Sequence, residues 1–410
     1  MSVAAPPAVF YQRRDFAFFT SGRFLSTVAM QMQSVAIGWQ IYSLTNSALA
    51  LGFVGLCQFA PMFLLTLPAG DLSDRIDQRK VLAAAMIVQA ASSALFLVLS
   101  FLHVSKAWPF YAVLVLFGAA RGFAGPAGQS LVAFLVPEEK LARSIALASS
   151  VFTTAVIAGP ALGGFLYAFG PYVTYSVCCL CFLFAATLTV VLGGRRRTET
   201  VTAGSRLDRV AEGVRFVRSR PVILGAISLD LFAVLLGGAV ALLPIYARDI
   251  LHAGPIGLGF LRAAPAVGAA LTSLTLAKFP IERHTGIVMF SAVAVFGIAT
   301  IVFGLSTSFP LSLAALFILG ASDMISVFIR STLIQFATPD SMRGRVTAVN
   351  MLFIGASNEL GEFESGITAA WFGAVPAVIV GGIGTLAVVA IWMKVFPPLR
   401  TVDRLREVKA

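Results

Sequence analysis

Twelve apolar stretches, each about the length needed to cross a lipid bilayer, follow one another along this chain of 410 residues. A transmembrane helix needs about 20 mostly apolar residues. The stretches therefore predict an all-α integral membrane protein. The predicted spans are 16–43, 48–70, 80–103, 108–135, 144–170, 172–193, 221–247, 255–277, 285–306, 310–337, 344–370 and 374–396.

The distribution of charge supports this prediction and gives an orientation. With 58% hydrophobic and 12% charged residues, the chain is too apolar for a soluble domain. Its net charge of +11 would suit a nucleic-acid partner, but most of the 30 Lys and Arg fall on one side of the predicted topology. Only Lys106 and Arg248 fall on the other side. The positive-inside rule then places both termini in the cytoplasm, and the basic charge indicates topology, not nucleic-acid binding.

One long polar segment divides the chain into 1–194, 195–220 and 221–410. Within it, apolar residues recur at helical spacing among arginines. This pattern predicts an amphipathic helix that lies on the cytoplasmic leaflet and links two bundles. The apolar positions are Leu207, Val210, Val214 and Val217.

The two halves repeat. Leu51-Gly52-Phe53 recurs as Leu258-Gly259-Phe260 at an offset of 207, and Phe134-Leu-Val-Pro137 recurs as Phe336-Ala-Thr-Pro339 at 202. The offset of 202 also sets Arg143 on Arg345, Gly159 on Gly361 and Gly164 on Gly366. The repeat predicts a duplicated six-helix unit.

The segment Gly70–Lys80 resembles the signature that the major facilitator superfamily carries between its second and third helices. Gly70, Leu72, Ser73, Asp74, Arg75, Asp77, Arg79 and Lys80 fit the pattern, and Gln78 departs from it. The resemblance implies twelve helices in two pseudo-symmetric bundles with substrate bound between them. It also implies a gating loop in which Asp74 pairs with Arg343 or Arg345 and latches one conformation.

A second motif, Gly159-Pro160-Ala161-Leu162-Gly163-Gly164, is similar to the motif of drug–proton antiporters in this superfamily. Small residues allow close helix approach, and Pro160 permits a bend. Ordinary helix packing is the alternative interpretation. Together with Leu44–Ser47 and Gly361–Gly366, the motif looks like the branch of bacterial drug and siderophore exporters.

Ionisable groups inside predicted spans are costly and are therefore functional candidates. Arg121 maps by 202 onto Asp323, and Arg23 maps by 207 onto Asp230. Helices one, four, seven and ten line the cavity of this superfamily, so the resemblance implies two basic–acidic pairs across it. Asp230 and Asp323 could couple protons or contact substrate, or form permanent bridges. The predicted substrate cavity comprises Arg23, Thr27, Gln31, Arg121, Ser326 and Arg330, whose arginines could instead bind an anion.

The eleventh span adds further acids. Glu359 and Glu362 share one helix face and are candidates for proton handling, whereas Glu364 points elsewhere. Arg262 lies near the end of the eighth span, where extension of its side chain to the interface is as good an interpretation as a function.

These patterns favour a proton-coupled exporter of a small organic molecule, a monomer in the bacterial inner membrane. An importer or facilitator on the same fold is the alternative, and a membrane enzyme or transport-inactive sensor is a remote one. The sequence shows no nucleophile–base pair, nucleotide-binding loop or metal spacing, so no cofactor or metal is expected. The clustered Cys178, Cys179 and Cys181 fit a role as small apolar residues.

Overall fold

The computed structural model describes residues 13–136, 138–192 and 206–404, and every element in these ranges is helical. Side chains at 13, 67, 70–75, 126, 129–130, 132–134, 138–143, 206–210 and 340–341 are not described. The first half contains α1 Arg13–Thr45, α2 Ala48–Arg75, α3 Gln78–Phe101, α4 Trp108–Leu135, α5 Glu138–Tyr167 and α6 Pro171–Val190; α7 Arg206–Ser219 follows. The second half contains α8 Pro221–Leu236, α9 Leu243–Ile245, α10 Gly254–Lys278, α11 Thr285–Leu305, α12 Phe309–Ala337, α13 Asp340–Phe372, α14 Ala374–Val395 and α15 Pro397–Arg400.

Ten segments of the described chain have the length and apolar composition of membrane spans. The helices α1 and α13 are not among them, although each has 33 residues and is long enough to cross a bilayer. Both carry more polar side chains than a lipid-facing span, such as Gln31 in α1 and Glu362 in α13. With these two included, the helices are consistent with the twelve predicted spans.

Helix packing repeats between the halves. In the first half α2 packs on α4, α3 on α6 and α1 on α5; in the second half α10 packs on α12, α11 on α14 and α8 on α13. These contacts group the helices into two bundles, which is consistent with the duplicated six-helix unit that the repeat predicts. The bundles meet where α5 packs on α10 and where α2 packs on α13. These two contacts are also counterparts of each other in the repeat.

The short connection predicted around 70–80 is smaller in the structure. The helix α2 continues through Gly70 to Arg75, so only Ile76 and Asp77 lie outside helices. The Asp77 carboxylate caps α3 by accepting a hydrogen bond from the Arg79 backbone N–H at 3.0 Å. A helix that continues satisfies its own backbone groups, which explains why the charged segment does not form an open loop.

The seventh span also differs from the predicted single helix over 221–247. The helix α8 ends at Leu236, and the next two residues are Gly237 and Gly238, of which Gly238 packs against the Gly361 carbonyl of α13. A 3₁₀ turn Ala239–Leu242, the short α9 and a π-helical turn Tyr246–Ile250 complete the span. Paired glycines and π-helical turns are common sites of helix distortion.

The linker helix α7 packs on protein rather than only on lipid. Val217 is buried and Val214 packs beside it in the core of the second bundle. Glu212 forms an ion pair with Arg345 of α13 at 2.7 Å. The described part of the apolar face therefore packs on the second bundle, and the position of α7 on the leaflet stays a prediction; Leu207 and Val210 are outside the described side chains.

One end of the contact between the bundles is closed. Val35, Tyr42 and Leu51 of the first half share an apolar cluster with residues of the second half such as Leu258 and Leu261. We call this the 46–47 end, after the two residues that join α1 to α2. The opposite end, which contains the turn Ile76-Asp77, is the 76–77 end.

Candidate functional site

A cavity of about 270 Å³ lies in the first half, towards the 76–77 end. The predicted residues Arg23, Thr27 and Arg121 line it, together with apolar side chains that include Met62 and Phe152. Its walls come from all six helices of the first bundle, so the cavity depends on how these helices pack. The cavity is a candidate substrate site with cationic and apolar walls.

Arg121 of α4 connects the two halves. Its guanidinium forms an ion pair with Glu359 of α13 at 3.5 Å and donates a hydrogen bond to the Gln58 amide oxygen of α2 at 3.3 Å. Both charged side chains are largely buried, with 23% and 17% of their surface exposed. The expected partner of Arg121 was Asp323, and the structure places Glu359 there instead. The repeat offset identified the charged helices but not which charges meet.

Glu362 and Arg262 extend this charge cluster. One carboxylate oxygen of Glu362 lies 2.9 Å from where a Cβ on Gly55 of α2 would be, so the carboxylate packs on the first half. Arg262 donates a hydrogen bond to the Ser34 hydroxyl of α1 and interacts electrostatically with both glutamates. We call Arg121, Glu359, Glu362 and Arg262 the bridging cluster. Arg262 points into the contact between halves and does not extend to the lipid surface.

A signal for Arg262 was present in the sequence. In the repeat, Arg262 is equivalent in sequence to Gly55, and Glu362 is equivalent to Pro160. The second half therefore has charges where the first half has small or rigid residues. Helices α10 and α2 are equivalent in the repeat, and so are α13 and α5. An acid and a base introduced on neighbouring helices indicate a pair. Gln58 was not identified by sequence reasoning at all.

The acids of α8 and α12 form a separate group inside the second half. Asp230 forms an ion pair with Arg330, and both side chains are almost fully buried. Asp323 is half-buried and interacts electrostatically with both of them. Ser326 is buried, and its hydroxyl has no hydrogen-bond partner among the described residues. Asp230 therefore pairs within its own half, not with Arg23 as expected.

Arg23 and Gln31 of α1 have different surroundings. The Arg23 guanidinium lies 5.7 Å from the ring centre of Phe152 of α5, at the cavity wall. Gln31 packs against Gly159, where a Cβ would lie 2.5 Å from the Gln31 Cβ. Of the α1 residues predicted for the substrate cavity, Arg23 and Thr27 therefore line it, whereas Gln31 lies in the contact with α5.

The antiporter-like motif packs α5 on α1 of its own half and on α10 of the other half. Gly163 packs against the Met32 backbone of α1, where a Cβ would lie 2.7 Å from the Met32 Cα. Gly164 packs against Gly259 of α10, and the Pro160 carbonyl lies 2.6 Å from where a Cβ on Gly259 would be. In the repeat, Gly164 is equivalent to Gly366 at the offset of 202, and Gly259 is equivalent to Gly52 at the offset of 207. Gly366 and Gly52 are also in contact in the structure. The motif and its counterpart form two matching glycine contacts.

The predicted gating residues are engaged locally at the 76–77 end. The Arg79 guanidinium binds Asp77 at 2.7 Å and the carbonyl of Leu192. The hydrogen bond from Arg79 lowers the pKa of Asp77, which lies between the spans. Arg343 donates to the Gln335 carbonyl, and Arg345 pairs with Glu212. The side chains of Gly70, Asp74 and Arg75 are outside the described set, so the Asp74 latch stays a prediction.

Polar contacts reinforce the closed 46–47 end. The Tyr42 hydroxyl of α1 donates a hydrogen bond to Asp249 of the π-helical turn. The Arg248 guanidinium donates to the Asn46 amide oxygen at 2.9 Å and lies 5.5 Å from the centre of the Tyr42 ring. The distorted turn of the seventh span thus contacts the end of the first span.

Among the described residues, no group of three His, Cys, Asp or Glu is arranged to hold a metal ion. Cys178 is buried, and its thiol contacts the Ala29 carbonyl at 3.4 Å. Burial of this kind suits packing of α6 on α1.

The geometry defines a class. Two pseudo-symmetric bundles, a cavity in the first bundle towards the 76–77 end and an apolar seal between the bundles at the 46–47 end are the features of a solute carrier that works by alternating access. A family model described as transmembrane secretion effector matches residues 7–408. The chain belongs to this family of major facilitator transporters.

Curated relatives of this chain include proteins named as efflux pumps and exporters. The chain is 27% identical over 345 residues to the multidrug efflux pump Tap of Mycolicibacterium fortuitum, covering 81% of this chain and 83% of the pump. It is 25% identical over 368 residues to the enterobactin exporter EntS of Shigella boydii serotype 18, covering 89% and 84%. The macrolide efflux protein A of Streptococcus pyogenes is 23% identical over 379 residues, covering 88% and 91%.

Solved structures agree on the fold. The nucleoside transporter NupG superposes with a TM-score of 0.74 at 12% identity and covers 93% of this chain and 100% of its own. A D-xylose–proton symporter gives a TM-score of 0.72 at 14% identity and covers 95% and 98%. Both comparisons confirm the major facilitator fold. At these identities they support the fold alone.

Proposed function

We propose that this chain is a proton-driven exporter of a small organic molecule. The observation that carries the proposal is the ion pair between Arg121 and Glu359, which joins α4 of one half to α13 of the other. The names of the relatives support efflux, with drugs, a siderophore and macrolides as their cargoes. In this proposal the 76–77 end faces the cytoplasm of a bacterium, and one chain suffices for transport.

The ion pair links protonation to conformation. When the halves separate at the 46–47 end, Arg121 moves away from Glu359 because the two residues belong to different bundles. A nearby guanidinium favours an ionised carboxylate, and its removal favours the protonated form. Glu359 therefore takes a proton from the outer side when that end is open. It releases the proton to the cavity when the ends reverse and Arg121 returns.

Glu362 and Arg262 also change their surroundings when the 46–47 end opens. The Glu362 carboxylate packs on Gly55, so opening of the 46–47 end also exposes this second acid to water. Arg262 lies in the same half as both glutamates and loses only its hydrogen bond to Ser34. When the halves separate, Arg121 therefore moves away from the two glutamates of the bridging cluster, whereas Arg262 stays beside them.

Asp230 has a structural role in this scheme. Asp230 and Arg330 lie in one bundle and are buried together, so a rocking motion of the halves leaves their pair intact. We assign this pair to the stability of the second bundle. Asp323 shares the same arginine and remains the second candidate for proton binding.

Inside-out vesicles with an acidic lumen test the proposal. Addition of a transported compound from a panel of antibiotics, lipophilic cations and siderophores should release protons from the lumen. Glu359→Gln should abolish this release, because an amide takes up no proton. Glu364→Gln is the matched control: its carboxylate accepts a hydrogen bond from Thr368 of the same helix at 2.7 Å and makes no described contact with Arg121.

Two results would contradict the proposal. Proton release by Glu359→Gln at the wild-type rate would remove Glu359 from the coupling step. Equilibration of labelled solute by the wild type without proton movement, across the whole panel, would favour the facilitator.

A further inference from the structure

We infer that the cavity of the first half binds amphipathic organic anions, and that Arg23 is the residue that holds the anionic group. The inference names the substrate class of the proposed exporter and rests on that proposed function. It depends on three features of the cavity: an arginine with no acidic partner among the described side chains, an aromatic ring that positions this arginine, and walls of flexible apolar side chains.

Arg23 differs from the other intramembrane arginines of the described chain. Arg121 has Glu359, Arg330 has Asp230, and Arg262 interacts with two glutamates. Among the described side chains, no acid forms an ion pair with Arg23; its neighbour is the ring of Phe152. A cation held inside a span without a counter-ion is costly, and a bound anion would offset that cost.

Phe152 keeps the Arg23 guanidinium at the cavity wall. The 5.7 Å separation from ring centre to guanidinium carbon is within the range of a cation–π contact. Stacking on one face leaves the N–H groups at the edge of the guanidinium available for a carboxylate, sulfonate or catecholate. Nearby, the Thr27 hydroxyl and the Gln89 amide line the same cavity and add neutral donors.

The rest of the wall suits an apolar body of variable shape. Met30, Met62 and Met86 line the cavity together with Phe19. Methionine side chains are flexible and polarisable, so they adapt to different ligands. None of the lining residues among the described side chains is acidic. A lipophilic cation would therefore find no counter-ion there, whereas the carboxylates of the second half and of the bridging cluster already have arginine partners.

A matched pair of fluorescent probes tests the assignment by equilibrium binding, without a proton gradient. Dansylglycine carries a carboxylate and dansylcadaverine an ammonium group on the same fluorophore. For the protein in nanodiscs of uncharged lipid, dansylglycine should bind at least about tenfold more tightly than dansylcadaverine. Arg23→Gln should weaken dansylglycine binding by about tenfold or more, the loss expected for a hydrogen bond to a charged group. Arg23→Lys should keep part of the affinity.

Arg220→Gln is the control, because Arg220 stacks on Phe216 at the same 5.7 Å but lies outside the cavity. Its affinity for dansylglycine should equal that of the wild type, and all variants should elute as single species with unchanged melting temperatures. Equal binding of the two probes, or an Arg23→Gln variant with wild-type affinity, would overturn the inference. Anion binding that needs Arg23 in a protein that moves no protons would leave the inference standing and refute the proposed coupling.

Discussion

Gly366 of α13 lies so close to Gly52 of α2 that a Cβ on Gly366 would be only 2.7 Å from the Gly52 Cα. The equivalent contact on the other side of the molecule joins Gly164 of α5 to Gly259 of α10, with 3.0 Å from a Gly164 Cβ to the Gly259 Cα. Both contacts cross between halves, and both lie on the helices that seal the 46–47 end. Small residues at matching positions therefore let two pairs of helix backbones approach closely.

The first prediction concerns these glycines. Gly366→Ala should open the 46–47 end without unfolding either bundle, because the clash is with the backbone of the other half. Overpacking of this kind costs about 1–3 kcal/mol, enough to shift the conformational population markedly. The distance between spin labels on Ser47 and His252, in a variant without the four native cysteines, should lengthen.

The control for this experiment is Gly355→Ala in the same helix, since a Cβ there would meet nothing within 4 Å. Gly164→Ala should reproduce the effect of Gly366→Ala, because the repeat makes the two contacts equivalent. An unchanged distance distribution in both variants would show that the glycine contacts do not decide which end is closed.

The second prediction separates the role of Asp230 from that of the bridging cluster. Asp230→Asn leaves Arg330 as a buried cation without its partner, and the expected loss of stability is about 3–5 kcal/mol. Thermal unfolding in detergent should show a large decrease in melting temperature. Asp230→Leu combined with Arg330→Met should recover most of it. A stable Asp230→Asn protein that fails only in transport would instead support direct proton coupling by Asp230.

The third prediction concerns the hydrogen bond from Tyr42 to Asp249 across the 46–47 end. Tyr42→Phe removes the donor and should raise the open population about fivefold, from a loss of about 1 kcal/mol, because Tyr42 is buried whereas the acceptor Asp249 is half-exposed. The reporter is a cysteine placed at the fully buried Val35 and labelled with a membrane-impermeant maleimide. Labelling should accelerate in Tyr42→Phe. Wild-type labelling kinetics would mean that the apolar cluster alone keeps this end closed.

The fourth prediction uses the acidic cap of α3. Its hydrogen bond from Arg79 lowers the pKa of Asp77 below the ordinary value of 3.8. A lowered pKa in the folded protein gives stability that is complete above the ordinary value and is lost as the pH falls through the lowered one. Asp77→Ala should therefore cost about 1 kcal/mol at neutral pH, as loss of a helix cap does.

Below about pH 4 that difference from the wild type should shrink, which melting curves over a pH series would record. Between pH 5 and pH 8 the difference should stay constant. A cost that varied with pH in the neutral range would show that another titrating group, not the Asp77 carboxylate, is responsible.

The sequence predicted the bundles because its signals are local and repeated. Apolar stretches fix the spans, since a backbone in lipid must be helical, and the offsets of 202 and 207 related the halves correctly. The same offsets identified both glycines of each interhelical contact, although not that they meet. The charged segment after the second span was less informative, because a helix such as α2 can extend past the bilayer through Arg75.

The partners of the intramembrane charges could not be read from the sequence. The sequence by itself determined which helices carry Arg23, Arg121, Asp230 and Glu359, because burial of a charge in a span is visible as a break in apolar composition. Only the tertiary structure decided that Arg121 pairs with Glu359 across the halves, and that the Arg23 guanidinium lies over the Phe152 ring. A pairing depends on how helices rotate and approach in three dimensions, and differences of a few ångströms in that packing change which charges are neighbours.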